Sequence, residues 1–293
     1  MVARGCITLD NMHKRTLLYL AILLPVMLCL ASSTQARQAS SEVLPPVRII
    51  LVGDSTMAVN NGWGAGFCAD VVREVTCVNM AKNGRSSASY RAEGSWAKVL
   101  AALKHNQDYR TTYVLIQFGH NDQPGKPGRS TDLATEFPVN LRQYVDEVNA
   151  AGGTPVLVTP LTRRQFKDGK LVDGLGPWAD AVKQVATTAH VRLLDLHGDS
   201  VDAVQKMGPA AADTLAQAPP PADGGSASGT SIPAAQASSP GAESERKEPS
   251  LPRFDYTHLG EKGAAFFGRM IATELRQAVP ELQPYIIQPN IKP

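Results

Sequence analysis

The chain has 293 residues, 43% of them hydrophobic, and a formal net charge of +2. That length suits one large domain or two small ones, and that composition rules out wholesale disorder. Outside residues 1–36 basic and acidic side chains balance, which argues against a phosphate-binding surface, so nucleic acid is not an expected partner.

Residues 17–31 form the longest apolar run, short of the ~20 that a spanning helix needs. Lys14 and Arg15 precede it, and Thr34-Gln35-Ala36 offers a cleavage site. Residues 1–36 therefore read as a signal peptide, with an uncleaved anchor as the alternative. Cleavage would leave no stable membrane span and a secreted or periplasmic protein. Residues 37–46 read as a linker. Beyond residue 36 the cysteines are Cys68 and Cys77. They are either a disulfide, worth ~2–3 kcal/mol by the chain-entropy account in an oxidising compartment, or two buried thiols.

From residue 47 strands and helices alternate. Residues 48–52 are a continuous apolar run ending in Gly-Asp-Ser, a buried strand followed by a turn. Residues 67–75 can be helical, and 77–81 read as a second strand ending at Asn83-Gly84. Residues 113–118 are the third, closed by Gly119. Phe137, Leu141, Val145 and Val148 recur at helical spacing, with Gly152-Gly153 as the stop. Residues 156–159 and 191–196 supply strands four and five around a helix near 178–188. Ala264, Phe267, Ile271 and Leu275 mark a last helix, ended by Pro280. Such alternation predicts a three-layer α/β/α fold on a five-stranded parallel sheet.

From 208 to 253 there is no aromatic residue and no valine, too little apolar surface to offset ordering. Residues 210–251 are expected to be a disordered Ala/Pro/Ser/Gly-rich insertion within one domain, formed by 47–209 and 252–284. Residues 285–293 are then a tail.

Ligands gather at the carboxyl ends of parallel strands. Strand one ends in Gly53-Asp54-Ser55-Thr56, strand two in Asn83-Gly84-Arg85-Ser86, and strand three in Gly119-His120-Asn121-Asp122. Asp255-Tyr256-Thr257-His258 precedes the last helix. A serine nucleophile needs a base oriented by a third group. Asp255 and His258, three apart, can share one face of a turn and serve Ser55. Backbone N–H groups of Ser55 and Gly84, with the Asn121 amide, would form the oxyanion hole. A second copy, Gly198-Asp199-Ser200, follows the fifth strand; Ser200 or Asp199 is expected to cap a helix ending near Met207. Arg85, Arg91, Arg163 and Arg164 fall in or near rim loops, either as solvated charge or as contacts to a carboxylated sugar. His120 is a pocket-wall candidate. Trp63, Tyr90 and Trp96 read as stacking platforms or as core.

These four blocks resemble the SGNH-type (GDSL-type) hydrolases: Ser55, Gly84, Asn121 and His258 match the four letters, and Asp255 completes a triad. More narrowly, Gly53-Asp54-Ser55-Thr56-Met57, Asn83-Gly84-Arg85-Ser86-Ser87, Gly119-His120-Asn121-Asp122 and Asp255-Tyr256-Thr257-His258-Leu259 are similar to rhamnogalacturonan acetylesterases of carbohydrate esterase family twelve. So is Pro160-Leu161-Thr162-Arg163-Arg164-Gln165-Phe166. The resemblance covers about residues 47–209 and 252–280; the long insertion before Asp255 departs from it. It implies a flavodoxin-like sheet and metal-independent ester hydrolysis without a cofactor. The expected enzyme is a monomeric, exported serine esterase deacetylating a plant cell-wall polysaccharide such as rhamnogalacturonan or pectin. Other substrates open to the same fold are acetylxylan, lipid or thioester. From other classes, a metal-dependent phosphoesterase could use Asp54, Asn121, Asp122, Asp255 and His258 as ligands, and an idle carbohydrate-binding envelope protein would need no turnover.

Overall fold

Apolar runs at 47–53 and 111–117 lie side by side as parallel strands β1 (Val47–Gly53) and β3 (Thr111–Gln117), almost wholly buried. In the computed structural model, which describes residues 44–218 and 254–288, β2 (Val75–Asn79) flanks β1 on its other side. Next to β3 come β4 (Thr154–Val158) and β7 (Arg192–Leu194), so the parallel sheet has the order β2-β1-β3-β4-β7. A small antiparallel hairpin pairs β5 (Phe166–Lys167) with β6 (Lys170–Leu171). The helices in chain order are α1 (Gly64–Ala69), α2 (Ser89–Ala92), α3 (Ser95–Leu103), α4 (Glu136–Ala150), α5 (Gly176–Ala189), α6 (Leu196–Met207), α7 (Pro209–Asp213) and α8 (Glu261–Ala278).

Alternation along each strand sends successive side chains to opposite faces. Ile49, Leu51 and Leu115 face one core, with Phe67 of α1, Val204 of α6 and Phe267, Ile271 and Leu275 of α8. Ile50, Val52, Val114 and Ile116 face the other, with Trp96 of α3, Leu141 of α4 and Val182 of α5. This is the three-layer α/β/α arrangement the sequence predicts. Chain order reverses between β1 and β3, and the crevice beyond their carboxyl ends is where open α/β sheets bind ligands.

Element bounds differ at places with a local cause. The first helix stops at Ala69, and 70–74 run as a turn into β2, which begins at Val75 rather than Cys77. Cys68 and Cys77 are disulfide-bonded, tying α1 to β2. The insertion begins later than its composition suggests. Residues 209–213 form α7, Ala212 and Leu215 are buried, and Ala216 bridges to Leu259. One helical turn and two apolar side chains suffice to hold 210–218 on the body. The linker and tail shrink likewise: Tyr285 donates to the carbonyl of Pro45, and Tyr285 and Ile286 are buried. The predicted signal peptide, residues 37–43, 219–253 and 289–293 lie outside the described residues. Among the described residues no helix is long and apolar enough to cross a membrane.

Candidate active site

β1 ends at Gly53, and the next three residues close on themselves. The buried Asp54 accepts hydrogen bonds at Oδ1 from Thr56 N and Thr56 Oγ1, both at 2.8 Å. A carboxylate binding its own backbone two residues on is the local chemistry of a tight turn. Behind it, Trp63 Nε1 donates to Gln117 Oε1 at 2.7 Å and Gln117 Nε2 to Thr56 Oγ1 at 2.5 Å. This turn presents Ser55 at the switch point, 6% exposed.

The Asp255 turn reaches Ser55 through close packing of two helices. A Cβ on Gly66 of α1 would fall 2.1 Å from Ala264 O, and one on Gly268 of α8 would fall 2.4 Å from Phe67 N. Only glycine lets these backbones approach so closely. Just ahead of α8, Leu259 N donates to Asn61 O at 2.8 Å. His258 Nε2 then lies 2.8 Å from Ser55 Oγ, and Nδ1 lies 2.7 Å from Asp255 Oδ2. Asp255 Oδ1 accepts from Thr257 N at 2.8 Å and His258 N at 3.0 Å. Burial alone would raise the Asp255 carboxyl; the donors from the His258 ring and the turn's N–H groups outweigh it and hold it well below the usual carboxylate range. Such a group stays ionised beside an imidazole that gains a proton.

Among the described residues no hydrogen bond of the turns takes the N–H of Ser55 or Gly84 as donor. Gly84 sits at φ +76°, where a side chain would be strained. Asn121 donates one amide hydrogen from Nδ2 to Arg85 O at 3.1 Å, which leaves the other free. Asp122 ties these loops together: it accepts from Ser87 N at 3.0 Å, Ser87 Oγ at 2.5 Å, Thr131 Oγ1 at 3.1 Å and Gly119 N at 3.1 Å. Burial outweighs the Ser87 and Thr131 donors and pushes its carboxyl up to about 6.

Sequence reasoning passed over that tie, and over Arg129, whose Nη1 donates to Asn121 Oδ1 at 3.3 Å and Gly84 O at 3.4 Å. No spacing rule flags Arg129; its loop is Gly- and Pro-rich with no periodicity.

Several candidates move. Arg164 is not on the rim: it is fully buried, and its guanidinium donates to the carbonyls of the Asp255–His258 turn. Arg91 pairs with Glu147 at 2.6 Å and covers Tyr144, a structural role. Arg85 pairs with Glu93 at 2.7 Å. Arg163 keeps a partly exposed place, donating from Nη2 to Gln123 Oε1 at 2.7 Å. His120 is a buried wall, Nδ1 lying 3.5 Å from Asp54 Oδ2. Burial holds its imidazole down, towards the neutral form, against the pull of Asp54. Trp63, Tyr90 and Trp96 are core, not stacking platforms. Of the carboxylates in the metal-ligand alternative, Asp122 is bound through both oxygens by Ser87, Thr131 and Gly119, and Asp54 binds Thr56 through Oδ1 while its Oδ2 faces His120 with no hydrogen bond among the described residues. Among the described residues no group of three or more His, Cys, Asp or Glu is arranged for an ion.

Two curated proteins of Bacillus subtilis (strain 168) are similar in sequence. RhgT, named a rhamnogalacturonan acetylesterase, is 35% identical over 159 residues, 52% of this chain and 65% of its own length. YesY, named a probable rhamnogalacturonan acetylesterase, is 30% identical over 155 residues, 50% of this chain and 69% of its own. Among solved structures, Bacillus subtilis protein YXIM superposes with a TM-score of 0.56 at 21% identity, over 80% of this chain and 58% of that one. A catalytic mutant of Axe2, an acetylxylan esterase from Geobacillus stearothermophilus, gives 0.50 at 17% identity, over 78% and 93%. These superpositions show the fold. Residues 51–266 match the GDSL-like Lipase/Acylhydrolase family, so the chain belongs to that family and is a hydrolase of carboxylic esters.

Proposed function

We propose that the protein is an exported serine acetylesterase acting on a plant cell-wall polysaccharide, with acetylated rhamnogalacturonan or pectin as substrate. The observation carrying this reading is the relay Ser55 Oγ, His258 Nε2, His258 Nδ1, Asp255 Oδ2, with contacts of 2.8 and 2.7 Å at the switch point. Ser55 attacks the acetyl carbonyl while His258 takes its proton, and Asp255 holds the imidazole in the tautomer that presents Nε2. Charge on the carbonyl oxygen is met by Ser55 N–H, Gly84 N–H and the free hydrogen of Asn121 Nδ2. His258 then protonates the leaving sugar oxygen. Water attacks the acetyl-enzyme by the same route and releases acetate.

Two further observations support the substrate and the compartment. Lys126, Arg129 and Arg163 lie near one another, and burial together with the two arginines lowers Lys126. None of the three is salt-bridged among the described residues. A cationic rim with no carboxylate within salt-bridge distance, Asp54 and Asp122 acting on it only from farther off, suits a galacturonate-bearing chain, and the relatives' names agree. The Cys68–Cys77 disulfide suits export.

The test is acetate release from acetylated pectin, acetylated xylan and aryl acetates, with and without a serine-directed fluorophosphonate. Pectin activity is expected to fall more steeply with salt than xylan activity, since screening shortens to ~8 Å at physiological ionic strength. Lys126→Gln with Arg163→Gln should remove the difference. Equal salt dependence in the wild type would overturn the pectic reading and leave the esterase reading standing.

A further inference from the structure

Arg164 follows β4 and is fully buried. Every carbonyl of the four-residue turn that carries the acid–base pair is bound by this one residue. Its Nη2 donates to Asp255 O at 3.0 Å and His258 O at 2.8 Å, its Nη1 to Thr257 O at 3.2 Å, and its backbone N to Tyr256 O at 2.9 Å. The turn has no strand or helix of its own to satisfy these carbonyls.

Burying a guanidinium costs several kcal/mol even when its hydrogen bonds are made, and an apolar side chain of like volume often serves stability as well. Here burial brings the group down to about 10, against the nearby charges of Asp255 and Asp213. Asp213 lies on α7, where the chain enters the insertion, and Gly260 N donates to Leu215 O at 3.0 Å. The two stems of the insertion thus join each other beside the turn that this side chain holds. A planar fork with five donors can span carbonyls 255, 257 and 258 together; an ammonium cannot match that spread.

We infer that Arg164 is a positioning residue for the reaction: it fixes the Asp255–His258 turn from beneath so that the imidazole is already seated against Ser55 when substrate arrives. It touches neither substrate nor the reacting atoms. The inference rests on the reading of Ser55, His258 and Asp255 proposed above.

R164M, R164Q and R164K are compared with wild type and S55A by kcat and KM on a short aryl acetate and by thermal unfolding. The low-field proton resonance of the His258 Nδ1–H bond to Asp255 is followed in each. R164M should lower kcat about 100-fold, the scale of an ångström's misplacement of a catalytic group, with KM near wild type and the resonance lost. R164K should recover part of both kcat and the resonance. A loss carried by KM, or a wild-type resonance with wild-type kcat in R164M, overturns the inference. If R164M fails to unfold cooperatively, R164Q and R164K are read by the same two signals. An active S55A, or failure of fluorophosphonate to label wild type, would instead overturn the serine reading.

Discussion

Both copies of Gly-Asp-Ser follow a parallel strand, yet the protein uses them in opposite ways. After β1 the chain leaves the sheet in an open turn, and Ser55 stands 2.8 Å from His258 Nε2. After β7 the chain is already helical: Asp195 caps α6, its side chain accepting from Gly198 N, so Gly198, Asp199 and Ser200 all lie inside the helix. Ser200 is therefore not a cap. It is fully buried, donates from Oγ to His197 O at 3.1 Å and accepts from Thr162 N at 3.1 Å. The aspartates diverge as well. Asp54 lies beside His120 and binds Thr56, and the balance of those contacts against burial leaves its carboxyl below the ordinary value. Asp199 stands near the buried Glu274 of α8. The three letters do not decide reactivity; the position of their strand and the moment at which the helix starts do. β1 lies between β2 and β3, while β7 is at the edge of the sheet.

The sharpest way to break this comparison is to remove one hydroxyl at a time. Ser55→Ala should cut acetate release by about 10⁴-fold or more, and His258→Ala by a similar factor, because residues acting as a unit are not additive. Asp255→Asn keeps nucleophile and base but loses orientation, so its loss should be severe yet no greater. Circular dichroism on each variant separates catalysis from folding. Turnover that survives in Ser55→Ala would remove strand β1 from the chemistry altogether.

Next in size is the amide that distinguishes the first rim from the second. Asn121→Ala should lower kcat roughly 10²–10³-fold, the usual effect of losing one oxyanion donor, with little change in KM for a small aryl acetate. Asn121→Asp should be at least as damaging, since it places a carboxylate where the negative charge develops. An effect confined to KM would make Asn121 a substrate contact rather than a stabiliser of the oxyanion.

The sheet and this rim were legible because both follow from local pattern. Runs such as Ile49–Val52 are apolar enough to be buried on both faces, and each ends in a turn of Gly, Asn or Asp. What could not be read is whatever depends on one side chain crossing the fold. Arg164 looks like a rim arginine because it neighbours Arg163, yet one points into the body and the other towards Gln123. The early part of the insertion failed for a related reason. Ala212 and Leu215 are too few to register in composition, but each fills a place against α8 and its preceding turn. The cap at Asp195 was missed because Asp199-Ser200 offered a second plausible start four residues later.

Glu274 sharpens the comparison through the second aspartate. Burial, together with the neighbouring charges of Asp199 and Asp195, pushes its carboxyl up to about 8. An acid raised in the folded state is protonated there while the unfolded chain ionises from its ordinary value near 4.5. The unfolded state then binds fewer protons, so stability falls as pH rises from about 4.5 and levels off above about 8. Glu274→Gln keeps the shape and removes the titration. It should stabilise the protein at pH 8 and change little near pH 4, with the gain growing as pH rises between the two by at most ~1.4 kcal/mol per pH unit. Thermal unfolding of both proteins across that range checks it; a gain that is the same at both ends would assign the effect to packing.

The smallest effect belongs to the second serine itself, and it is the control on which the contrast depends. Ser200→Ala removes the acceptor of Thr162 N, a buried donor, so it should cost about 1–3 kcal/mol of stability. It should leave kcat and KM for an aryl acetate at wild-type values, because Ser200 is engaged with His197 O and Thr162 N rather than with any base. Thr162 is two residues from Arg164, which gives the experiment a second edge. If losing the Ser200 hydroxyl slackened that loop enough to shift the Asp255–His258 turn, kcat would fall while KM held, and Ser200→Cys would fail to restore it as fully as Ser200→Thr. An unchanged kcat together with a lowered unfolding temperature is the expected result. It would show that the serine of the same three-residue sequence serves only the interior at one strand end while, at the other, it meets His258.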